Sequence, residues 1–330
     1  MRFTVYGSGA MGGSLGAYLA RSGEDVLFVD KDPDHVQAMK TSGLRIDGER
    51  GEFTVKVRAV MPEELNGGQD VVLLGVKSQH TEEALQQFAP LLERDSMVVS
   101  IQNGLNEEKI SRVIGRERTI GAFVNWGADY IGPGHIRFGK VGCFYIGEMD
   151  GAISERIQKL QKVFSVFLPA EVTDNIWGYL WSKQIFSSIL FSTALTDLPI
   201  YEALEPPEVR RILGSLVREA MQVPRALGIE LEEYEGEFFP SLFLDHRDDE
   251  ALNIVANHFR GRIKNKTGVW RDIAVRKRPT EVEGTIGETV RKGESLGISL
   301  PLNRKLVAMI HELEQGRRQM TIDNFKVFKE

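Results

Sequence analysis

A glycine motif near the amino terminus constrains this sequence more than any other feature. The segment Gly7-Ser8-Gly9-Ala10-Met11-Gly12 directly follows a short apolar run, Phe3 to Tyr6, and opens a helix of small residues that ends at Gly23. A second apolar run then closes on Asp30. Glycines at this spacing between a strand and a helix, with an acidic residue after the next strand, are typical of a dinucleotide-binding βαβ unit.

The positions in this motif have separate physical roles. Gly7 permits the tight turn, Gly9 lets the backbone approach a pyrophosphate, and Gly12 lets the helix pack closely on the strand. The other residues of the motif complete the helix start, whose backbone N–H groups hold a diphosphate: Ser8, Ala10 and Met11.

Two neighbouring residues favour different dinucleotides. The Asp30 carboxylate at the end of the second strand favours a free ribose 2′-hydroxyl, and therefore NAD(H). Lys31 offers a cation for the 2′-phosphate of NADP(H). The residues alone favour NAD(H) slightly, and both cofactors stay open.

Two polar residues follow buried strands farther along the chain. Lys77 comes after the apolar run Val71 to Val76, and Asn103 follows the run Met97 to Ile101. Continuous apolar runs indicate strands of a parallel sheet, and ligands bind outside the carboxyl ends of such strands. We therefore predict that Lys77 and Asn103 contact a ligand, the alternative being that each faces water in a loop.

The composition excludes several classes of protein. With 41 basic and 47 acidic side chains the net charge is −6, which argues against nucleic-acid binding and against a lipid surface. The single cysteine, Cys143, forms no internal disulfide and makes a cysteine-rich zinc site implausible, so we expect a core residue, no bound metal and a reducing cytoplasm. The amino terminus predicts neither a signal peptide nor a membrane span.

The pattern of the chain changes after the first half. Short glycine-punctuated stretches between residues 121 and 147 predict antiparallel strands that finish the sheet. The rest reads as helices with apolar residues three and four apart. We predict an α/β protein with a Rossmann-type parallel sheet in an amino-terminal domain, residues 1–170, and an all-helical carboxy-terminal domain, residues 171–330.

One predicted helix of the second domain has an unusual lysine. The segment Ile176 to Thr193 is apolar almost all round, yet it contains Lys183. The ammonium of such a lysine either reaches water along its stem or sits in a cleft with a lowered pKa. A lysine in a cleft can protonate a carbonyl oxygen as hydride arrives, and the sequence leaves both alternatives open.

In their order along the chain, these motifs resemble the ketopantoate reductase (2-dehydropantoate 2-reductase) family over nearly the whole length. The resemblance rests on the glycine motif and on the following segments: Val76-Lys77, Asn103-Gly104, Gly132-Pro133-Gly134, Trp181-Ser182-Lys183, Thr196, Thr280-Glu281-Val282-Glu283 and Gly293 to Pro301.

The resemblance implies an NADPH-dependent oxidoreductase that reduces a 2-oxo acid to a 2-hydroxy acid in pantothenate biosynthesis. It implies that Lys183 is the general acid and that Lys77 and Asn103 line the cofactor and substrate edge. It also implies that Glu281 contacts substrate or the nicotinamide ribose, although an acidic residue after Thr280 also suits a helix start. A monomer or a homodimer is implied as well.

Several residues depart from the family pattern. Family members that act on ketopantoate usually have asparagine four and eight residues after the lysine, where this chain has Ser187 and Phe191. Thr267 is the hydroxyl nearest to a missing family serine. Among the cations near it, Lys264, Lys266 and Arg271, we take Arg271 as a candidate for a substrate carboxylate, the alternative being that all three belong to a solvated loop. We therefore predict that Ser187, Phe191 and Thr267 line the pocket of a bulkier or more apolar 2-oxo acid.

Two other functions stay open at this point. An NAD-dependent hydroxy-acid or alcohol dehydrogenase is favoured by Asp30. A nucleotide sensor that has lost catalysis is a function of another class, and the presence of both Lys183 and Glu281 argues against it.

Overall fold

The computed structural model describes residues 1–234, 236–261 and 265–329. They form two compact units, Met1–Ile176 and Trp177–Glu330. Our sequence-based boundary lies after residue 170, whereas the strand Ala170–Val172 still pairs with Phe144–Glu148 inside the first unit.

The first unit contains all the strands of the described chain and five helices of eight residues or more. The strands are β1 (Arg2–Tyr6), β2 (Asp25–Val29), β3 (Leu44–Gly48), β4 (Phe53–Val55), β5 (Arg58–Val60), β6 (Gln69–Leu74), β7 (Leu92–Ser100), β8 (Thr119–Val124), β9 (Gly127–Gly132), β10 (His135–Lys140), β11 (Phe144–Glu148) and β12 (Ala170–Val172). The helices are α1 (Ala10–Arg21), α2 (Pro33–Ser42), α3 (Thr81–Phe88), α4 (Glu107–Ile114) and α5 (Glu155–Phe164).

Eight strands form the main sheet, in the order β12-β11-β8-β7-β6-β1-β2-β5. The six strands from β8 to β5 are mutually parallel, and β11 runs antiparallel to β8. The strand β6 is buried on both sides: Leu73 belongs to the same cluster as Leu15 of α1, whereas Val72 and Leu74 belong to another with Ile110 of α4. The continuous apolar run therefore confirms the predicted doubly covered parallel sheet.

The glycine-punctuated segment does not all join this sheet, which corrects our expectation. The hairpin β9–β10 belongs to a separate four-stranded sheet of order β4-β3-β10-β9, in which β10 runs parallel to β3. Ile136 of β10 is fully buried against α1, where a Cβ on Gly13 would lie 2.3 Å from its Cδ1. The short strands β3 and β4 belong to this second sheet, and we did not predict them.

Within the described residues, the second unit contains helices and no strand. This confirms the predicted all-helical class. The helices are α6 (Ile176–Thr193), which begins on the last residue of the first unit, α7 (Ile200–Ala203), α8 (Pro207–Ala226), α9 (Pro240–Leu244), α10 (Asp248–Phe259), α11 (Gly268–Trp270), α12 (Glu288–Ser295) and α13 (Pro301–Glu314). Two π-helical turns, Arg271–Val275 and Glu283–Gly287, and a 3-10 helix, Ile322–Lys329, complete it.

A buried polar centre joins three of these helices. The Glu219 carboxylate of α8 accepts hydrogen bonds from the backbone N–H groups of Leu302 and Asn303, at 2.9 and 2.8 Å, where α13 begins. The fully buried side chain of Asn303 accepts a hydrogen bond from Ser188 of α6 at 2.9 Å. A carboxylate at a helix amino terminus is electrostatically favourable, and the network orients α6 about its axis.

Among the helices of the described residues, none is both long enough and apolar enough to cross a bilayer.

Candidate functional site

The glycine motif has the geometry that a dinucleotide requires. Gly7 adopts φ +91°, and a Cβ there would lie 2.7 Å from the backbone nitrogen of Val76. A Cβ on Gly12 would lie 2.3 Å from the Gly7 carbonyl oxygen. A Cβ on Gly9, by contrast, would have nothing within 4 Å. Gly7 and Gly12 therefore serve the fold, whereas the space beside Gly9 is open to a ligand.

The start of α1 is also open to an anion. Gly9 is the N-cap residue, and no side chain caps the helix. The N–H groups of the first helical turn have no partners within the helix, so a diphosphate satisfies donors that are otherwise left to water. The glycine motif thus fits the dinucleotide that the sequence predicts.

Asp30 lies at the end of β2 and is bound to this loop. Its Oδ2 accepts hydrogen bonds from the Ser8 backbone N–H at 2.9 Å and from the Ser8 hydroxyl at 3.1 Å. Its Oδ1 accepts the N–H of Asp32 at 3.1 Å. Lys31 is exposed. The Asp30 carboxylate is therefore held in a defined position beside the glycine loop.

A buried polar network supports the next two strand ends. The carbonyl oxygen of Asn103 accepts hydrogen bonds from the Ser78 hydroxyl and the Asn106 side chain, both at 2.9 Å. The Gln102 amide donates to the Val76 carbonyl oxygen at 2.8 Å. Asn103 is held through its backbone, so its exposed side chain is available to a ligand. The sequence did not identify this network, because its members join two loops that are distant in the chain.

Glu107, the first residue of α4, is a fully buried carboxyl group beside this network. Burial raises its pKa from an ordinary 4.5 to about 7, against the opposing effect of nearby backbone N–H groups and the Ser100 hydroxyl. Between these two pH values the folded protein holds a proton that the unfolded chain has released. The contribution of Glu107 to the free energy of unfolding is therefore largest below about pH 4.5 and is lost as the pH rises through 7.

We expect the replacement Glu107→Gln to remove this pH dependence. The wild type should lose about 3 kcal/mol of unfolding free energy between pH 4.5 and 7 through this group, and the uncharged variant should not. Urea unfolding at pH 5 and pH 8 measures the difference. Glu108→Gln, one position along the same helix, is the matched control and should retain the wild-type slope; an equal slope in both variants would contradict the assignment.

In the second unit, Lys183 lies on a partly exposed stripe of α6. Lys183, Ser187 and Leu190 are half-buried, whereas the neighbouring residues Trp181 and Ile185 are 1% and 0% exposed. These three positions are four and seven residues apart, which places them on one helix face. Phe191, which we predicted on this face, is 5% exposed and belongs to the buried side. Leu190, and not Phe191, lies on the partly exposed stripe. The apolar sequence of α6 did not reveal which of the two residues is exposed.

The other predicted residues of the second unit lie near π-helical turns. Thr267 caps α11, where its hydroxyl accepts the N–H of Trp270 at 3.0 Å. Glu281 is half-buried, and within the described residues its carboxylate has no hydrogen-bond partner. The Gln184 side chain of α6 donates to the Thr285 carbonyl oxygen at 2.6 Å, which attaches the segment after Glu281 to the helix of Lys183.

Comparison with known proteins decides the family. A family model described as ketopantoate reductase PanE/ApbA matches residues 3–151, and the model of its C-terminal part matches residues 175–314. The chain belongs to the ketopantoate reductase family. It is accordingly an NAD(P)-dependent oxidoreductase that acts on CH–OH groups.

Similar proteins align with almost the whole length of this family member. The 2-dehydropantoate 2-reductase of Streptococcus pyogenes serotype M1 is 27% identical over 313 residues, which cover 94% of this chain and 97% of that protein. The protein of the same name from Archaeoglobus fulgidus is 27% identical over 318 residues, with 96% and 98% covered.

Solved structures share the fold. A PanE/ApbA family ketopantoate reductase from Ralstonia eutropha has a TM-score of 0.82 at 28% identity, with 96% of this chain and 99% of that chain covered. D-mandelate dehydrogenase, solved with NADH and anilino(oxo)acetate, has a TM-score of 0.83 at 23% identity and the same coverage, a likeness that shows the fold alone.

Within this ketopantoate reductase family member, the structure groups the predicted residues in two sets. The glycine motif lies with Asp30 in the first unit, and Lys77 and Asn103 follow neighbouring strands of its sheet. Lys183 and Ser187 share one face of α6 in the second. Among the three cations near Thr267, Lys266 pairs with Asp197 at 2.7 Å, and Lys264 lies outside the described residues. The individual roles of all these residues stay predictions.

Proposed function

We propose that the protein reduces a 2-oxo acid to a 2-hydroxy acid with NADH or NADPH, and that Lys183 supplies the proton. The observation that carries the proposal is the position of Lys183: it is a half-buried ammonium on the exposed stripe of an otherwise apolar helix, in a chain matched by both family models. Asn103, Lys77 and Glu281 would contact the cofactor and substrate, as the family resemblance implies.

The chemistry divides between the residues of the two units. A bound nicotinamide supplies the hydride. The backbone N–H groups at the start of α1 bind the diphosphate, and Asp30 accepts a hydrogen bond from a ribose hydroxyl. Lys183 donates a proton from Nζ to the carbonyl oxygen of the substrate, whose developing negative charge is stabilised by the ammonium.

The substrate carboxylate needs a cation, and we assign Arg271 to it. The Arg271 guanidinium is half-buried, and its Nη1 donates a hydrogen bond to the Lys266 carbonyl oxygen at 3.1 Å. Burial and the nearby Arg276 charge lower the pKa of this guanidinium below its ordinary value, against the opposing effect of the Asp272 carboxylate. An arginine desolvated in this way gains from a carboxylate ligand, which it can bind through two parallel hydrogen bonds.

We also propose that the preferred 2-oxo acid is bulkier or more apolar than ketopantoate. Leu190 offers an apolar surface beside Lys183 and Ser187 on the same helix face, and the next residue, Phe191, is buried. A ketopantoate hydroxyl buried without a partner would cost roughly 1 to 3 kcal/mol.

A spectrophotometric screen tests these proposals. It measures oxidation of NADH and of NADPH with ketopantoate, aliphatic and aromatic 2-oxo acids, and the methyl ester of the best acid. We expect the highest kcat/KM with an apolar 2-oxo acid. For the methyl ester of that acid we expect a much lower kcat/KM. A wide preference for ketopantoate would contradict the substrate proposal only, whereas cofactor binding without turnover of any acid would contradict the enzymatic one and favour a sensor.

Cofactor preference can be tested at Asp30. Asp30→Asn retains an oxygen that accepts the Ser8 N–H and removes the charge that repels a 2′-phosphate. We expect the ratio of KM for NADPH to KM for NADH to fall about tenfold, since repulsion at this range is on the order of 1 kcal/mol or more. Asp34→Asn, an exposed carboxylate in the first turn of α2, is the matched control. Equal ratios in the wild type and Asp30→Asn would count against the role of Asp30.

A further inference from the structure

A histidine outside the glycine motif contacts the second residue of the motif, Ser8. His35 lies in the first turns of α2 and is fully buried. Its Nε2 lies 3.0 Å from the carbonyl oxygen of Ser8, and its Nδ1 accepts the backbone N–H of Gly134 at 2.9 Å. The ring therefore links the glycine loop to the turn between β9 and β10. Gly134 of that turn lies 99 positions after His35 in the chain.

These two partners determine the tautomer of the ring. A backbone N–H can only donate and a carbonyl oxygen can only accept, so Nδ1 carries no proton and Nε2–H is the donor to Ser8. The ring is held further by Tyr130, whose ring packs edge-on at 5.0 Å and whose hydroxyl donates to Asp32 at 3.1 Å. His35 is thus a neutral donor in a single orientation.

The bond to Ser8 orients the peptide that follows. Asp30 already holds the Ser8 N–H, and His35 holds the Ser8 carbonyl oxygen, so Ser8 is fixed on both sides. In a trans peptide the C=O and the following N–H point in opposite directions. The Gly9 N–H therefore points away from His35, and within the described residues it has no hydrogen-bond partner. Gly9 is also the motif residue with open space beside it.

We infer that His35 is a positioning residue for the dinucleotide: it fixes the Ser8–Gly9 peptide so that the Gly9 N–H is presented to the diphosphate. The inference rests on the dinucleotide site of the proposed function. It adds to that site a residue which touches neither cofactor nor substrate and which acts through the loop backbone.

Two amide variants separate this role from a structural one. The side-chain amide of His35→Gln reaches the position of Nε2 and can donate to Ser8. That of His35→Asn reaches only the position of Nδ1 and can accept from Gly134. Each variant loses one of the two hydrogen bonds, so we expect both to lower the unfolding midpoint by similar amounts. The dissociation constant for NADH or NADPH, measured by protein fluorescence quenching, should rise about 3- to 10-fold in His35→Asn and remain near wild type in His35→Gln.

Controls make the outcomes distinguishable. His135→Gln alters another histidine of the same unit, one bound to Asp47 at 2.8 Å, and should leave cofactor affinity unchanged. Equal weakening in His35→Gln and His35→Asn, or no weakening in either, would overturn the positioning role. Failure of the wild type to bind either dinucleotide would instead overturn the proposed function.

A second measurement needs no variant. The ¹⁵N shifts of the imidazole ring in the wild type should show the Nε2–H tautomer of His35, and exchange of that proton should slow when the dinucleotide is added. An Nδ1–H tautomer, a charged ring, or an exchange rate that the dinucleotide does not alter would overturn the inference.

Discussion

Replacing Lys183 by alanine should lower kcat for the preferred 2-oxo acid by at least ~100-fold, the usual contribution of a positioned general acid. The dissociation constant for the dinucleotide should change little, because the cofactor-binding motif lies in the other unit. Lys183 sits on the partly exposed stripe of α6, so its truncation leaves the buried face intact and the unfolding midpoint close to wild type. Steady-state kinetics and fluorescence titration of the same preparations measure both quantities.

Ser187→Ala is the matched control for Lys183, since it lies one turn away on the same stripe. The Ser187 hydroxyl donates to the Lys183 carbonyl oxygen at 3.0 Å, a bond inside the helix whose loss costs about 1 kcal/mol or less. We expect its kcat to fall less than about tenfold. Near-normal turnover in Lys183→Ala, with cofactor bound, would refute the general-acid role.

Replacing Gly9 by valine should weaken binding of NADH and NADPH by at least ~100-fold and lower the stability by only about 1 kcal/mol. The Gly9 backbone has a negative φ of −65°, and a Cβ there has nothing within 4 Å. The new side chain fills the space that the diphosphate needs and removes one or more charge-assisted hydrogen bonds, worth about 1.5–3 kcal/mol each. Valine is a poorer N-cap than glycine, which adds about 1 kcal/mol of destabilisation.

Gly12→Ala is expected to behave in the opposite way. Its Cβ would lie 2.3 Å from the Gly7 carbonyl oxygen, so α1 must move away from β1, and overpacking of this kind costs about 1–3 kcal/mol. Thermal unfolding should therefore detect Gly12→Ala, and cofactor titration should detect Gly9→Val. If Gly9→Val bound NADH or NADPH as tightly as the wild type, the dinucleotide would have to bind elsewhere.

Local sequence patterns predicted much of the first unit. The strand β1, the helix α1 and the strand β2 are signalled by an apolar run, small residues and glycine spacing, all within about thirty residues. The helix α6 was predicted with its bounds because 18 consecutive residues are apolar almost all round and include no proline. The strands β3 and β4 were not predicted. No glycine motif marks them, and β3 pairs with β10, which lies far along the chain.

In the candidate site, too, the sequence predicted some residues and missed others. Gly9 and Asp30 were candidates because each stands in a local pattern of the βαβ unit, and Lys183 was a candidate because it is a charged residue in an apolar helix, although the sequence left two explanations for it open. The burial of Phe191 and the exposure of Leu190 were not, since in a helix that is apolar almost all round the sequence does not tell which face packs. That choice is made by contacts such as the hydrogen bond from Ser188 to Asn303 on α13.

By itself, the sequence determined the αβ class of the first unit, the helical nature of the second, and the residue types needed for a dinucleotide and a proton donor. Only the tertiary structure decided that His35 and Asp30 hold Ser8 from opposite sides and that Glu107 is buried. The physical reason is range: a helix or a turn depends on neighbours a few residues away, whereas a buried hydrogen bond depends on which distant segments the packed core brings together.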